Sequence, residues 1–564
     1  MERMKVLQTA SKGYAAGPVY LVKRQEVITP RRTIEESDVE EEIGRYRASV
    51  KTAKEQLEKI AGDSDIFEAY IQLVQDEALM EGVISKIKGG NNAEAAVEDT
   101  ADEFILMFDS MEDAYMKERA ADLKDIKKRL LYALAGITEN PFEELKVPSI
   151  IVAEELTPSD TADMDFENVL GFLTEIGGVT SHVSIIAKGR GIPCLTGVKG
   201  ICSRVKDGMT AAMDAGSGEI FLEPTEEVLA EFEEKKHRFE MMEQMMEEES
   251  KKPSETMDGH KFMLCANVGN IEDIKEALKS QMEGIGLFRS EFVYMMKKDD
   301  FPTEEEQFQI YKEAALLTKE KELTIRTLDI GGDKELDYYT FEKEENPFLG
   351  CRAIRLCLKM PEMFKNQLRA LLRAGVYGNI RIMYPMLISV EELERANELL
   401  EECKRELEEK NIPYRRDIEV GMMIETPASV LMADEFAKRV DFFSIGTNDL
   451  TQYLLAVDRG NEAIAGSYDS FHPAVLRAIR RVISCAHAHG IKAGMCGEFA
   501  SNEKACAILL GMGLDEFSMS AGSIKAVKYR LRGTTFKEAR ELAENVLKAS
   551  SAEEVKGYCE RSEQ

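Results

Sequence analysis

One stretch of this 564-residue chain gathers residue types that can hold an anion and attack it: Gly177-Gly178-Val179-Thr180-Ser181-His182, running on into Val183-Ser184-Ile185-Ile186-Ala187-Lys188. Paired glycines let backbone approach a ligand and take conformations closed to other residues. Thr180 and Ser181 suit a helix N-cap. The apolar residues after them predict a short helix, ended by Gly189, with His182 in its first turn. A helix N-terminus carries partial positive charge and unpaired N–H groups, so it disfavours imidazolium and attracts phosphate. His182 is therefore expected to be a neutral nucleophile beside a phosphate site. A buried structural histidine after a tight turn is the plainer alternative, and the rest of the chain weighs against it.

A second set of reactive types lies in the C-terminal half, each just past a strand-like run: Asn267, Arg289, Arg326, Asp329, Glu425, Asn448, Asp449, Arg459 and Cys496. Arginines gathered at one mouth imply a substrate with several negative charges, because guanidinium forks match phosphate and carboxylate oxygens. Glu425 and Asp449 offer two hard oxygen ligands, which together with phosphate oxygens suit Mg²⁺. Cys496, in Gly494-Met495-Cys496-Gly497-Glu498, is expected to be exposed by its glycines and able to act as an acid or proton donor. Any one of these could be an ordinary ion pair or buried thiol. The joint pattern is harder to explain that way.

The elements that must position these residues follow from periodicity. Lys5-Val6-Leu7 and 18–22 read as strands separated by Gly13 and Gly17. From about Thr33 to Ala135 apolar residues recur at three- and four-residue spacing, as in Ile105-Leu106…Phe108, which predicts an inserted helical hairpin or small bundle. Strand-like runs at 149–152, 169–173 and 218–222 predict an α/β domain around His182, completed by the N-terminal strands. Residues 226–249 read as a linking helix, with a flexible joint at Lys252-Pro253-Ser254. Beyond Asp258, strand candidates at 262–267, 284–288, 323–329, 380–384, 418–425, 442–445, 491–495 and 516–519 alternate with helices. That count and length fit a (β/α)₈ barrel. A doubly wound open sheet alternates in the same way, but polar residues at the strand ends favour the barrel.

The formal net charge of −31 argues against binding a nucleic-acid backbone and is compatible with a locally basic protein partner. No apolar run approaches the ~18 residues of a transmembrane helix, and residues 1–17 lack the apolar core of a signal peptide. Ten cysteines without paired spacing give neither a zinc site nor a disulfide framework. A cytoplasmic location with reduced thiols is expected.

Several runs, in order, resemble Enzyme I of the bacterial phosphoenolpyruvate-dependent sugar phosphotransferase system. They include Leu156-Thr157-Pro158-Ser159-Asp160-Thr161-Ala162, the Gly-Gly-x-Thr-Ser-His motif, Gly286-Leu287-Phe288-Arg289-Ser290-Glu291-Phe292 and Arg326-Thr327-Leu328-Asp329-Ile330-Gly331-Gly332-Asp333-Lys334. Glu425-Thr426-Pro427-Ala428, the stretch from Asp441 to Tyr453 and the Gly511–Ser518 run continue the likeness. The resemblance implies that phosphoenolpyruvate phosphorylates His182, which passes the phosphoryl group to the phosphocarrier protein HPr. It implies a swivelling phosphohistidine domain (1–32 and 141–224), a helical HPr-binding insert (33–140), a linking helix (225–257) and a barrel (258–564) that binds phosphoenolpyruvate and forms a homodimer.

Carried over by position, Arg289 and Arg326 grip the phosphate, Glu425 and Asp449 hold Mg²⁺, and Asn448, Asp449, Arg459 and Arg352 bind the substrate. Cys496 exchanges the proton at the methylene carbon, Thr161 supports the imidazole, and Arg119 and Tyr70 lie on the partner-binding helices. The chain departs from the pattern at Val179 and Lys188, where arginines are expected, and at Tyr70, where some relatives carry histidine. These changes bear on partner preference and phosphohistidine stabilisation. A pyruvate phosphate dikinase or phosphoenolpyruvate synthase would need a nucleotide-binding domain, and the region before His182 is too short and helical for one. An inactive scaffold would not need His182, the acids and the arginines together.

Overall fold

A computed structural model describes residues 1–22, 30–61, 65–109, 114–137, 141–162, 164–178, 181–332, 334, 336, 338–461 and 463–562. Backbone contacts divide the chain into Met1–Met242 and Glu243–Gln564.

In the first unit, strands β1 (Glu2–Lys5), β2 (Thr9–Ser11) and β3 (Tyr14–Leu21) precede five helices: α1 (Val39–Ala61), α2 (Asp65–Val74), α3 (Glu77–Lys88), α4 (Ala93–Asp109) and α5 (Ala114–Ala135). The chain then returns through β4 (Ser149–Ala153), α6 (Pro158–Ala162), β5 (Val169–Thr174), α7 (His182–Arg190), β6 (Cys194–Leu195), α8 (Ile201–Arg204), β7 (Thr210–Asp214) and β8 (Glu219–Leu222). One eight-stranded sheet results, in the order β1-β8-β7-β3-β4-β5-β6-β2. Strand β4 pairs in parallel with β3 and β5 and is buried throughout. That is why it reads as an unbroken apolar run. Ile150 and Val152 face one core with Val19, Leu173 and Ile220. Ile151 and Phe172 face the other, where Val183 and Ala187 of α7 pack at i, i+4 spacing.

The N-terminal strands lie elsewhere than their periodicity suggests. Val6 and Leu7 lie outside any strand, and Leu7 is 94% exposed. Gly17 does not divide strands but sits inside β3, where the Leu170 side chain occupies the space a Cβ would need. Strands β2, β6 and β7 were not expected.

The helical insert has its own core, built from Tyr46, Leu57, Tyr70, Val74, Ile87, Val97, Ile126 and Leu130. Asp76 caps α3 by accepting from the Leu79 N–H at 2.9 Å. Leu106 departs from the apolar stripe and is exposed.

Helix α9 (Glu226–Ser250) runs without glycine or proline. Its C-terminal turn is held rather than flexible. Lys528 Nζ donates to the Ser250 carbonyl at 2.7 Å, Arg532 Nε pairs with Glu249 at 2.7 Å and Lys525 pairs with Glu247 at 2.5 Å. Ser254 and Thr256 are buried. The joint expected at 252–254 is therefore tied to the second unit.

In that unit β9 (Met263–Val268), β10 (Gly284–Arg289), β11 (Glu322–Arg326), β12 (Ile380–Tyr384), β13 (Glu419–Ile424), β14 (Phe442–Ile445), β15 (Lys492–Met495) and β16 (Glu516–Met519) form a closed barrel. All pairings are parallel, and β9 closes on both β10 and β16. The open-sheet alternative falls. Strand β11 stops at Arg326 rather than Asp329. Inside the barrel Arg381 pairs with Glu322 at 2.9 Å and Glu516 at 3.1 Å beneath the Phe442 ring. Above them Leu287, Met383, Met423, Phe442 and Cys496 form an apolar layer under the C-terminal mouth. Among the described residues no helix is long and apolar enough to cross a membrane, and all ten cysteines are free.

Two glycines make opposite tests of this packing. A Cβ at Gly511, at the end of helix Glu503–Gly511, would overlap the Ala539 carbonyl, whereas one at Gly44, in the exposed interior of α1, meets nothing. Gly511→Ala should cost about 1–3 kcal/mol through overpacking. Gly44→Ala should stabilise by roughly 0.5–1 kcal/mol. Chemical denaturation of both variants reads the signs directly.

Candidate active site

The loop ahead of α7 is built to fix one imidazole. Gly177 has φ +121°, a region glycine takes without strain. Ser181 occupies the N-cap position, but its side chain makes no capping bond. Its hydroxyl instead lies 2.9 Å from that of Ser184, which donates to the Gly178 carbonyl at 2.8 Å. The helix continues past Gly189 to Arg190 and ends at left-handed Gly191, whose N–H satisfies the last carbonyls. Val179 and Thr180 lie outside the described residues.

The His182 ring is held from the side. Asp160 Oδ2 accepts from the Thr157 N–H at 2.8 Å and from its hydroxyl at 2.9 Å, which fixes the start of α6. Thr161, one turn on, places Oγ1 3.0 Å from His182 Nε2. Burial keeps the His182 pKa below its ordinary value of 6.5, so the ring stays neutral and keeps a lone pair. Lys188 is exposed in the last turn of α7.

At the C-terminal mouth of the barrel a cavity of about 480 Å³ brings together Asn267, Arg289, Arg326, Asp329, Arg352, Glu425, Asn448, Asp449, Arg459 and Cys496. The buried charges alternate in sign. Asp329 lies 3.0 Å from Arg326, 2.9 Å from Arg352 and 3.5 Å from Lys334. Glu291 takes the other side of Arg326 at 2.5 Å and Lys334 at 2.8 Å. Arg352 also reaches Asp449 at 3.4 Å and the Tyr453 hydroxyl at 3.2 Å. Arg326 is therefore not a loose clamp: it is buried, with both Nη atoms engaged by acids. Arg289 and Arg459 are exposed, and Arg289 lies over the Phe292 ring. Glu291, Lys334 and Tyr453 stood within the quoted motifs, yet nothing in their spacing distinguished them from surface charge.

Glu425 is buried, and its Oε1 accepts from the Met386 N–H at 2.6 Å. Burial, then the charges of Asp449 and Asp329, push its pKa up to about 8. Cys496 corrects the expected exposure. It is only 6% exposed, packed with Leu287, Met383, Met423 and Phe442, and Gly497 serves close packing, since a Cβ there would overlap the Thr447 hydroxyl. Burial raises its thiol to about 11, so it is a protonated acid at neutral pH.

In the helical insert, Arg119 is half-buried on α5. Tyr70 is buried, and its hydroxyl donates to Asp122 at 3.0 Å. A side chain so enclosed supports the bundle from within.

Family models match in sequence order: the N-terminal domain of PEP-utilising enzymes over residues 8–119, their mobile domain over 145–218 and their PEP-binding domain over 243–536. Fold and site thus define a PEP-utilising enzyme. A phosphoenolpyruvate-protein phosphotransferase of Geobacillus stearothermophilus is 45% identical over 98% of this chain and 97% of its own. Those of Bacillus subtilis (strain 168) and Staphylococcus carnosus (strain TM300) are 43% and 42% identical, each over 97% of this chain and over 98% and 96% of their own. The chain belongs to the phosphoenolpyruvate-protein phosphotransferase family. A solution structure of Enzyme I (nEIt) matches 42% of this chain and all of its own at 35% identity, with a TM-score of 0.38.

The depressed pKa has a direct readout. NMR titration of His182 should give a midpoint below 6.5. Below that value the unfolded chain binds the proton first, so this residue's contribution to stability is lost as pH falls and regained as pH rises toward 6.5. A midpoint above 6.5 would contradict the burial argument.

Proposed function

We propose that this protein transfers the phosphoryl group of phosphoenolpyruvate through His182 to a histidine of HPr and releases pyruvate. The carrying observation is a half-buried, neutral imidazole in the same chain as a mouth of alternating arginines and carboxylates. Phosphoryl transfer requires positioning and charge neutralisation more than covalent work by the protein. A ring nitrogen of His182 attacks phosphorus, and the P–O bond breaks with its electron pair left on the enol oxygen. As the carbonyl forms, the methylene carbon takes a proton from the Cys496 thiol, which regains one from solvent. Arg289, Arg459 and Asn448 bind the substrate, with Arg352 and Arg326 behind them supplying fixed positive charge. Thr161 holds the ring.

Glu425 and Asp449 fit a divalent cation. Among the described residues Glu425 forms no ion pair of its own, and burial with the charges of Asp449 and Asp329 raises its pKa against the opposing pull of Arg326 and Arg352. These two residues would hold Mg²⁺, which supplies positive charge to the transferring phosphate when bound. Residues 1–32 with 141–224 form the proposed phosphohistidine domain, 33–140 the HPr-docking insert with Arg119 on its α5 face, 225–257 the linker, and 258–564 the barrel and dimerisation domain. The family membership supports this reading, a homodimer and a cytoplasmic location.

Labelled phosphoenolpyruvate with Mg²⁺ and no nucleotide should label the protein, and His182→Ala should abolish that acid-labile signal. Full labelling of the variant would defeat the proposal; a strict requirement for ATP would point to a dikinase.

Glu425 makes a second prediction. Between 4.5 and about 8 the folded protein keeps a proton that the unfolded chain releases, so metal-free stability falls as pH rises through that window. Mg²⁺ must displace this proton. Its affinity should rise with pH toward 8, and its binding near pH 7 should release about one proton. Calorimetry in buffers of different ionisation enthalpy counts it, and Glu425→Gln should remove it.

A further inference from the structure

The barrel contains a relay that fixes the peptide bearing the proton donor. Gly286 on β10 leaves a gap, and a Cβ there would overlap the Ser518 hydroxyl. Ser518 on β16, fully buried, uses that gap to donate to Asn267 Oδ1 at 2.6 Å. The Cys496 and Ser518 carbonyls can only accept, so they set the orientation of the Asn267 amide, with Nδ2 toward them and Oδ1 left to accept from the hydroxyl, which can serve either way. That Nδ2 donates to the Cys496 carbonyl at 2.8 Å and reaches the Ser518 carbonyl at 3.4 Å. From the other side the Cys496 N–H donates to the Ile445 carbonyl at 3.2 Å. Both ends of the Cys496 backbone are thereby held across the barrel, by β9 on one side and β14 on the other.

We propose that Asn267 is a positioning residue that fixes which face of the enolpyruvate carbon Cys496 protonates. The proposal rests on the role given to Cys496 above. Transfer of the phosphoryl group leaves an electron pair that becomes the carbonyl, and the former double-bond pair takes the proton from sulfur. A donor displaced by a fraction of its hydrogen-bond length loses its geometric advantage over water. Solvent then reaches either face.

The test uses the full-length protein with HPr and phosphoenolpyruvate carrying a stereospecifically labelled methylene, run in D₂O and read as the chirality of the pyruvate methyl. The native enzyme should give one enantiomer in large excess, and Cys496→Ala should lose most of that excess. Asn267→Leu, of similar volume, should lose a comparable share and transfer about tenfold more slowly, with the affinity for phosphoenolpyruvate changed less than about threefold. Asn267→Asp, which sets a carboxylate oxygen against the Cys496 carbonyl, should be at least as impaired. An unchanged far-ultraviolet circular dichroism spectrum and near-native binding of phosphoenolpyruvate in all three should show that the barrel itself is folded. Retained selectivity in Cys496→Ala would remove the underlying role. Lost selectivity there with full selectivity in Asn267→Leu would overturn this proposal alone.

Discussion

Asp329, set among Arg326, Lys334 and Arg352, is the contact on which the barrel mouth depends. Buried cations are tolerated only where anions share their surroundings. Glu291 and Asp449 extend the same alternation outward. Removing Asp329 would strip one partner from three cations at once and leave Glu291 and Asp449 to hold them, so the network is stable as a set. It also places the positive charge before any substrate arrives, and none of the binding energy is then needed to assemble it. The same compensation limits how tightly the mouth can hold an anion without a metal, because each buried guanidinium is already shared.

Much of the barrel was legible in the sequence for a physical reason. Parallel strands covered on both faces are mostly apolar, with a few paired polar residues such as Arg381 and Glu516, and 380–384, 442–445 and 516–519 were placed to the residue. The shortest elements carried no such signal. Strand β6 has two residues and β2 three, too few for any period, while β7, Thr-Ala-Ala-Met-Asp, has neither β-branched apolar residues nor alternation to mark it. At the site, residue types and their neighbourhood in the fold could be read, but partners could not. Nothing near Arg326 in sequence announces that Glu291 will occupy its far side. The glycines around Cys496 suggested exposure because glycine serves both exposure and close packing, and only the Thr447 contact decides between them. Tyr70 was placed by its position in the resemblance, and position along a helix does not say which face is buried.

The two units solve the problem of sheet edges differently. The barrel closes on itself and has none. The sheet around His182 has two, and each is guarded by what its strand lacks. At one edge β1 is four residues long and carries Glu2, Arg3 and Lys5, with Arg3 paired to Glu219 and lying over Phe221. At the other, β2 offers three small residues. Neither gives an incoming strand the length or apolar face needed to add on. The domain that carries His182 can thus keep an open sheet with little tendency toward edge-to-edge aggregation.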